Sequence, residues 1–318
     1  MVSHRLFGFV ARHVSQTKPI WVVLGFGASI LAPWEMVQNS GLARGQGPMA
    51  PSAPMAVADQ SAMADLDLRF AGQLRAEGTP DLAIDYLNRV LPKYGPAQQE
   101  SLRVVLAVAK IELSKSIPDA EARRLMMTQA KSELENFVRA NPQSPLVLQA
   151  SISLGAVAIR LGEAQMAKAL LLDPKAPVAL AEKTKGRELL GAGIVQVQEL
   201  LKKLDQIEKS GSDVPGFTAS RIREEKLIAK LNIAEAQFNL ARLYNDPEKE
   251  ATLRVQAIDV ALKSFENLSN EDNNSPICWK AYAWAAFLLK EKGEPKKARD
   301  YIKLILATKD NNPGARAG

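Results

Sequence analysis

From Ser61 onward the apolar residues recur at spacings of three and four, and no stretch alternates strictly between apolar and polar. That periodicity predicts amphipathic helices and no strands. Four pairs punctuate the pattern: Thr79-Pro80, Ser144-Pro145, Asp246-Pro247 and Ser275-Pro276. In each, the first side chain can accept from orphan backbone N–H groups, and proline at the first helical position gives up a donor that had no partner. Between Val178 and Lys209 a stripe of Leu189, Leu190, Ile194, Val197, Leu200, Leu201 and Leu204 predicts one long helix despite Gly186, Gly191 and Gly193. After the breaker SGSDVPG a second long helix is expected from Thr218 to Tyr244. The two are expected to pair as an extended hairpin.

The chain also repeats itself. Gly78, Gly162 and Gly293 are each followed five residues later by alanine, at Ala83, Ala167 and Ala298, and nine residues later by Leu87, Leu171 and Ile302. Seven residues before each stands a small residue, Ala71, Gly155 or Ala286, preceded in turn by Phe70, Leu154 or Ala285. Small residues let two helices approach closely, glycine permits a turn between them, and the larger side chains fill the next layer.

This pattern resembles the tetratricopeptide repeat, a helix-turn-helix unit of about 34 residues. The segments that carry the resemblance are ADLDLRFAGQLRAEGTPDLAIDYLNRVL from Ala64, VLQASISLGAVAIRLGEAQMAKALL from Val147 and WKAYAWAAFLLKEKGEPKKARDYIKLIL from Trp279. AEAQFNLARLY from Ala234 fits a first helix of such a unit, and AKSELENFVRANP from Ala130 fits a second. The starts are unevenly spaced, so the resemblance implies an all-α solenoid of antiparallel helix pairs with the long hairpin inserted in it. Such solenoids hold partner peptides or helices along a concave face lined by the first helix of each pair. Carried over, the groove positions are Asp65, Leu68 and Arg75, then Gln149, Ile152 and Arg160, then Glu235, Phe238 and Arg242, and last Lys280, Phe287 and Lys290. Arg75, Arg160, Arg242 and Lys290 would align cations suited to carboxylates. The competing reading makes them scattered solubilising charges, and the Lys-Asn arrangement of the family's carboxylate-clamp members is not reproduced.

Composition sharpens this picture in two places. Aromatic residues make up only 6% of the 318, and Ala and Leu dominate the body, a bias towards helix. The net charge of +6 is spread over 41 basic and 35 acidic residues, a nearly balanced surface that argues against nucleic-acid binding. At the N-terminus Arg5, Arg12 and Lys18 precede the apolar run Ile20 to Trp34 with no acid among the first nineteen residues, the pattern of an export signal. Fifteen residues reach only about 22 Å as a helix, short of a hydrocarbon core of about 30 Å, which favours a signal peptide over an anchor. A hydrophobic helix of a cytosolic protein is the alternative. The expected organisation is a signal peptide or membrane anchor over 1–34, a Pro-, Ala- and Gln-rich linker over 35–60, a helical repeat domain over 61–309 and a disordered tail over 310–318.

Candidate chemistry is sparse. Both histidines, His4 and His13, lie in the N-terminal segment, so the body lacks the commonest general base and the usual zinc ligand. Cys278 is the sole cysteine and sits in an apolar helical run, where packing outweighs reactivity. No phosphate-cradling loop or calcium-type loop is present, and the pair Glu224 and Glu225 reads as a solvated helix face. No catalytic, cofactor-binding or metal-ligating residue is therefore expected. The expected function is a non-catalytic protein-interaction scaffold of the cell envelope. A self-assembling structural protein is the alternative, and a carboxylate-based hydrolase a more distant one.

Overall fold

Helix boundaries follow the local chemistry of the chain. The computed structural model describes residues 57–173, 176–246, 248–308, 312 and 314–315, all within one unit, Ala50–Gly318. The described residues form ten α-helices: α1 Val57–Ala76, α2 Pro80–Val90, α3 Pro96–Leu113, α4 Ala120–Ala140, α5 Val147–Leu170, α6 Pro177–Ser210, α7 Ala219–Arg242, α8 Ala251–Ser269, α9 Pro276–Glu291 and α10 Pro295–Thr308. No β-strand occurs among the described residues; Val214 and Phe217 form an isolated bridge in the α6–α7 loop. The fold is all-α. The expected signal segment over 1–34 lies outside the described residues, and α1 begins at Val57, inside the stretch expected to be linker.

Two of the four Ser/Thr/Asp-Pro signals start a helix at the proline, α2 at Pro80 and α9 at Pro276. Ser275 Oγ accepts from Ile277 N, whereas Thr79 Oγ1 turns back to donate to Leu74 O. The other two make local turns ahead of their helices. Ser144 Oγ accepts from Leu146 N before α5, and Asp246 Oδ1 accepts from Glu248 N and Lys249 N before α8.

Packing runs in chain order. Each helix packs on the next, and each odd-numbered helix also touches the following odd-numbered one: α1 on α3, α3 on α5, α5 on α7, α7 on α9. The main contacts of α1 are with α2 and α3, and those of α10 are with α9. Successive cores result. Leu87, Leu102 and Leu106 fill one at α1–α3, Leu134, Val157 and Leu161 one at α3–α5, and Leu190, Val197 and Leu243 one at α5–α7. Phe265, Cys278 and Leu288 fill the last, at α7–α10. The Cys278 thiol is buried and its pKa raised by that burial.

The glycine repeat resolves into two different devices. Gly78 and Gly293 adopt φ of +79° and +87° in matching turns. Gly78 N donates to Arg75 O and Thr79 N to Leu74 O; Gly293 N donates to Lys290 O and Glu294 N to Leu289 O. Both are Schellman ends, where left-handed backbone favours glycine. Ala83 and Ala298 are buried beneath them, as expected.

Gly162 departs from the expectation. α5 runs straight through it, so no turn forms, Ala167 is exposed and Leu171 is 80% exposed. A Cβ on Gly162 would lie 2.8 Å from the backbone N of Leu190, one on Gly155 3.0 Å from Val197 Cγ2, and one on Gly193 3.0 Å from Ile159 N. These glycines therefore bring α5 and α6 close together, and closeness, not turning, accounts for them.

The predicted long helices are present as α6 and α7 and pack on one another, while α6 packs more extensively still on α5. α5 is apolar and long enough to cross a membrane, yet 61% of its most apolar window is buried within the fold, the character of a core helix. At the other end, Asn312 Nδ2 donates to Asn273 O at 2.7 Å and Ala315 is buried, although both fall in the stretch expected to be a disordered tail.

Candidate functional site

The odd-numbered helices present a shared side, and its residues follow from helical spacing. On α5, Gln149, Ile152, Ala156, Arg160 and Glu163 are all half-buried at intervals of three or four. On α7 the matching positions are Glu235, Phe238, Asn239 and Arg242; on α9 they are Lys280, Trp284 and Phe287. Arg75 on α1 and Glu112 on α3 extend the row.

The row is knit by charge. The Arg75 guanidinium forks onto Glu112, donating from Nε at 2.8 Å and from Nη2 at 2.7 Å, and ties α1 to α3. Beyond α3, burial and the nearby Arg160 charge hold the Lys115 ammonium pKa below its ordinary value. Arg160 on α5 is lowered by burial, opposed by Glu163 and Glu112. Neither Arg160 nor Arg242 makes an ion pair among the described residues, so each guanidinium is held in a carboxylate's field without being forked onto one.

Glu163 is the most perturbed carboxyl of the row. Burial and the neighbouring Glu235 charge push it up to about 7, against the pull of Arg160, Arg242 and Lys280. Its direct partner is an amide, with Asn239 Nδ2 donating to Oε1 at 3.1 Å. Glu235 is also raised, by burial, and its Oε1 receives both Lys280 Nζ at 3.1 Å and Trp284 Nε1 at 3.0 Å. Two carboxyls on adjacent helices thus share a poorly hydrated site, and the usual result is that one of them holds its proton near neutrality.

Aromatic rings close the row. Phe238 lies 5.5 Å from Trp284 and 5.7 Å from Phe287, and Trp284 lies 5.9 Å from Phe265 in a stacked arrangement. Arg242 sits 5.9 Å over the Phe238 ring, within cation–π range. Phe287 remains 42% exposed. Trp279 is buried, donates from Nε1 to Asn273 O and stacks on Tyr282, which makes it a packing residue.

Among the sequence-derived positions, Arg160, Phe238, Arg242 and Phe287 converge at α5, α7 and α9, with Arg75 linked to them through Glu112. Gln149 and Ile152 sit at the other end of α5. There Gln149 accepts from Arg221 Nη2 at 3.4 Å, and Ile152 packs with Leu148, Leu204 and Ile222. Lys290 is exposed near the end of α9. Sequence reasoning passed over Glu112, Lys115, Glu163 and Asn239. Glu163 stands three residues past Arg160 on the same stripe, and this spacing was the signal available for it.

The class that emerges is an all-helical chain whose neighbouring helices pack in sequence, with charged and aromatic residues along its odd helices. No known family's sequence profile matches the chain, and no characterised protein sequence matches it. Among the described residues no three His, Cys, Asp or Glu side chains group as a metal set.

Proposed function

We propose that this protein is a non-catalytic docking scaffold, a tetratricopeptide-like solenoid acting in the cell envelope after export, that receives partner peptides or helices along its odd-numbered helices. The observation that carries this reading is the side-by-side packing of α1, α3, α5, α7 and α9, which strings charges and rings, from buried Glu235 to exposed Arg242 and Phe287, into one row. Quasi-one-dimensional stacking of this kind produces extended binding faces. Arg160 and Arg242, short of an ion pair of their own, suit acidic groups on a partner, and Phe287 supplies apolar area beside them. Arg75 is less suited, because its fork is occupied by Glu112.

The test is quantitative capture from the native envelope by wild-type protein and by the double variant Arg160→Glu, Arg242→Glu, with far-ultraviolet dichroism to verify folding. The proteins held by wild type should fall at least about tenfold in the variant, the loss expected when like charges are placed against an acidic partner. Equal capture by both would remove the row from the function.

A further inference from the structure

The two arginines offered to a partner already face a carboxyl of their own chain. Arg160 stands one turn before Glu163 on α5, and Arg242 stands one turn after Asn239 on α7, the residue whose Nδ2 donates to Glu163 Oε1 at 3.1 Å. Residues three apart on a helix are surface neighbours, so the Glu163–Asn239 bond sets one carboxyl between guanidinium groups drawn from two helices. The other charges acting on Glu163 are Glu235 of α7 and Lys280 of α9, and these are bonded to each other at 3.1 Å. On the remaining sides the charges turn to other partners: Lys110 of α3 to Glu133 of α4, Lys168 of α5 to Glu182 of α6, and Glu112 of α3 to Arg75 of α1. Lys115, just past α3, acts on Arg160. Of the carboxyls Glu112, Glu163 and Glu235, Glu163 alone is bonded, among the described residues, to no cation but to a neutral amide.

We infer that Glu163 gates the docking row: with its proton it leaves Arg160 and Arg242 to the carboxylates of an acidic partner segment, and without it it draws both guanidinium groups to itself and turns the partner away. This inference rests on the docking reading above and adds its control. Like charges in one poorly hydrated site oppose each other, so an ionised Glu163 and a bound acidic segment compete for the same two cations. A neutral carboxyl keeps its Asn239 bond and opposes nothing. Burial and the Glu235 charge place the change at about pH 7. A partner that binds one protonation form has its apparent affinity scaled by the fraction of protein in that form. At pH 5.5 nearly every molecule qualifies, and at pH 8 about one in ten. Acidic segments are therefore held in mildly acidic surroundings and released in alkaline ones.

The experiment is fluorescence anisotropy with a rhodamine-labelled hexa-aspartate peptide, whose carboxylates stay ionised throughout, at pH 5.5 and pH 8 and one ionic strength. It uses the full chain as wild type, as Glu163→Gln and as the double variant Arg160→Glu, Arg242→Glu, with dichroism to check each fold. Wild type should bind about tenfold more weakly at pH 8, the cost of a competent fraction of about one tenth. Glu163→Gln should bind equally at both pH values, as tightly as wild type at pH 5.5, and the arginine reversal should lose at least about tenfold at pH 5.5. Titration calorimetry of wild type at pH 7, in two buffers of different ionisation heat, gives a reading that needs no variant: binding should take up about half a proton per peptide. If wild type and Glu163→Gln both fail to bind the peptide, or arginine reversal leaves binding unchanged, the docking reading fails and this inference with it. If the reversal weakens binding but Glu163→Gln keeps the wild-type pH dependence, or wild type takes up no proton, the gate alone is overturned and the docking row stands.

Discussion

Glu163 shows how a single side chain records its surroundings. Its folded pKa of about 7 stands above the ordinary 4.5, so the folded chain holds a proton there that the unfolded chain has released. Stability must then fall as pH rises through the window from about 4.5 to about 7, the reverse of the usual carboxylate behaviour, with the full cost present above it. Glu235 is raised by burial as well and adds in the same direction. Wild type is expected to be more stable at pH 5 than at pH 8 by about 2 to 3 kcal/mol, the size that such a displacement carries. Glu163→Gln, whose amide oxygen can still accept from Asn239, should lose most of that slope and exceed wild type at pH 8 by about 2 kcal/mol. Chemical denaturation of both proteins at the two pH values measures it. A slope unchanged by the substitution would mean that the pH dependence resides elsewhere.

Among the elements, the α5–α6 pair separates two uses of glycine that look alike in sequence. Gly162 and Gly191 both lie inside continuous helices, α5 and α6, and intrinsic propensity would favour alanine at each by about 1 kcal/mol. Their surroundings differ. A Cβ on Gly162 would press to 2.8 Å on Leu190, whereas one on Gly191 meets nothing within 4 Å. Gly162→Ala should therefore destabilise by about 1 to 3 kcal/mol through overpacking, and Gly191→Ala should stabilise by up to about 1 kcal/mol. Thermal unfolding of the two variants would show shifts of opposite sign.

The same pair marks what could and could not be read from the chain. Helical stripes and proline-led starts placed α6, α7 and α9 closely, because periodicity and capping are local. The turns at Gly78 and Gly293 were legible for the same reason. Gly162 matched them in register and failed, since whether a glycine bends the chain or admits a neighbour depends on a helix almost thirty residues away. The row along the odd helices divides similarly. Arg160, Phe238 and Arg242 were positions the repeat resemblance implied, but Glu112 gains its meaning from Arg75 across a helix-helix contact that neither resemblance nor spacing encodes.

For the molecule as a whole, sequential packing sets how it comes apart. Each helix depends on near neighbours in the chain, so opening one end need not open the other. The α5–α6 contact is the most extensive and lies mid-chain, while α10 leans mainly on α9. Native-state amide exchange should accordingly be graded, with slowest exchange in α5 and α6 and fastest in α1 and α10, at free energies well below the central value. A single exchange free energy shared by all ten helices would instead indicate one cooperative block.

One placement within that row bears on how the protein is observed. Both described tryptophans, Trp279 and Trp284, belong to α9, with one indole sealed in the core and the other bonded to Glu235 and stacked on Phe265. Tryptophan emission from the described residues thus comes from α9, and a native-looking tryptophan spectrum vouches for that end, while α1 to α4 contribute only through tyrosines such as Tyr86 and Tyr94.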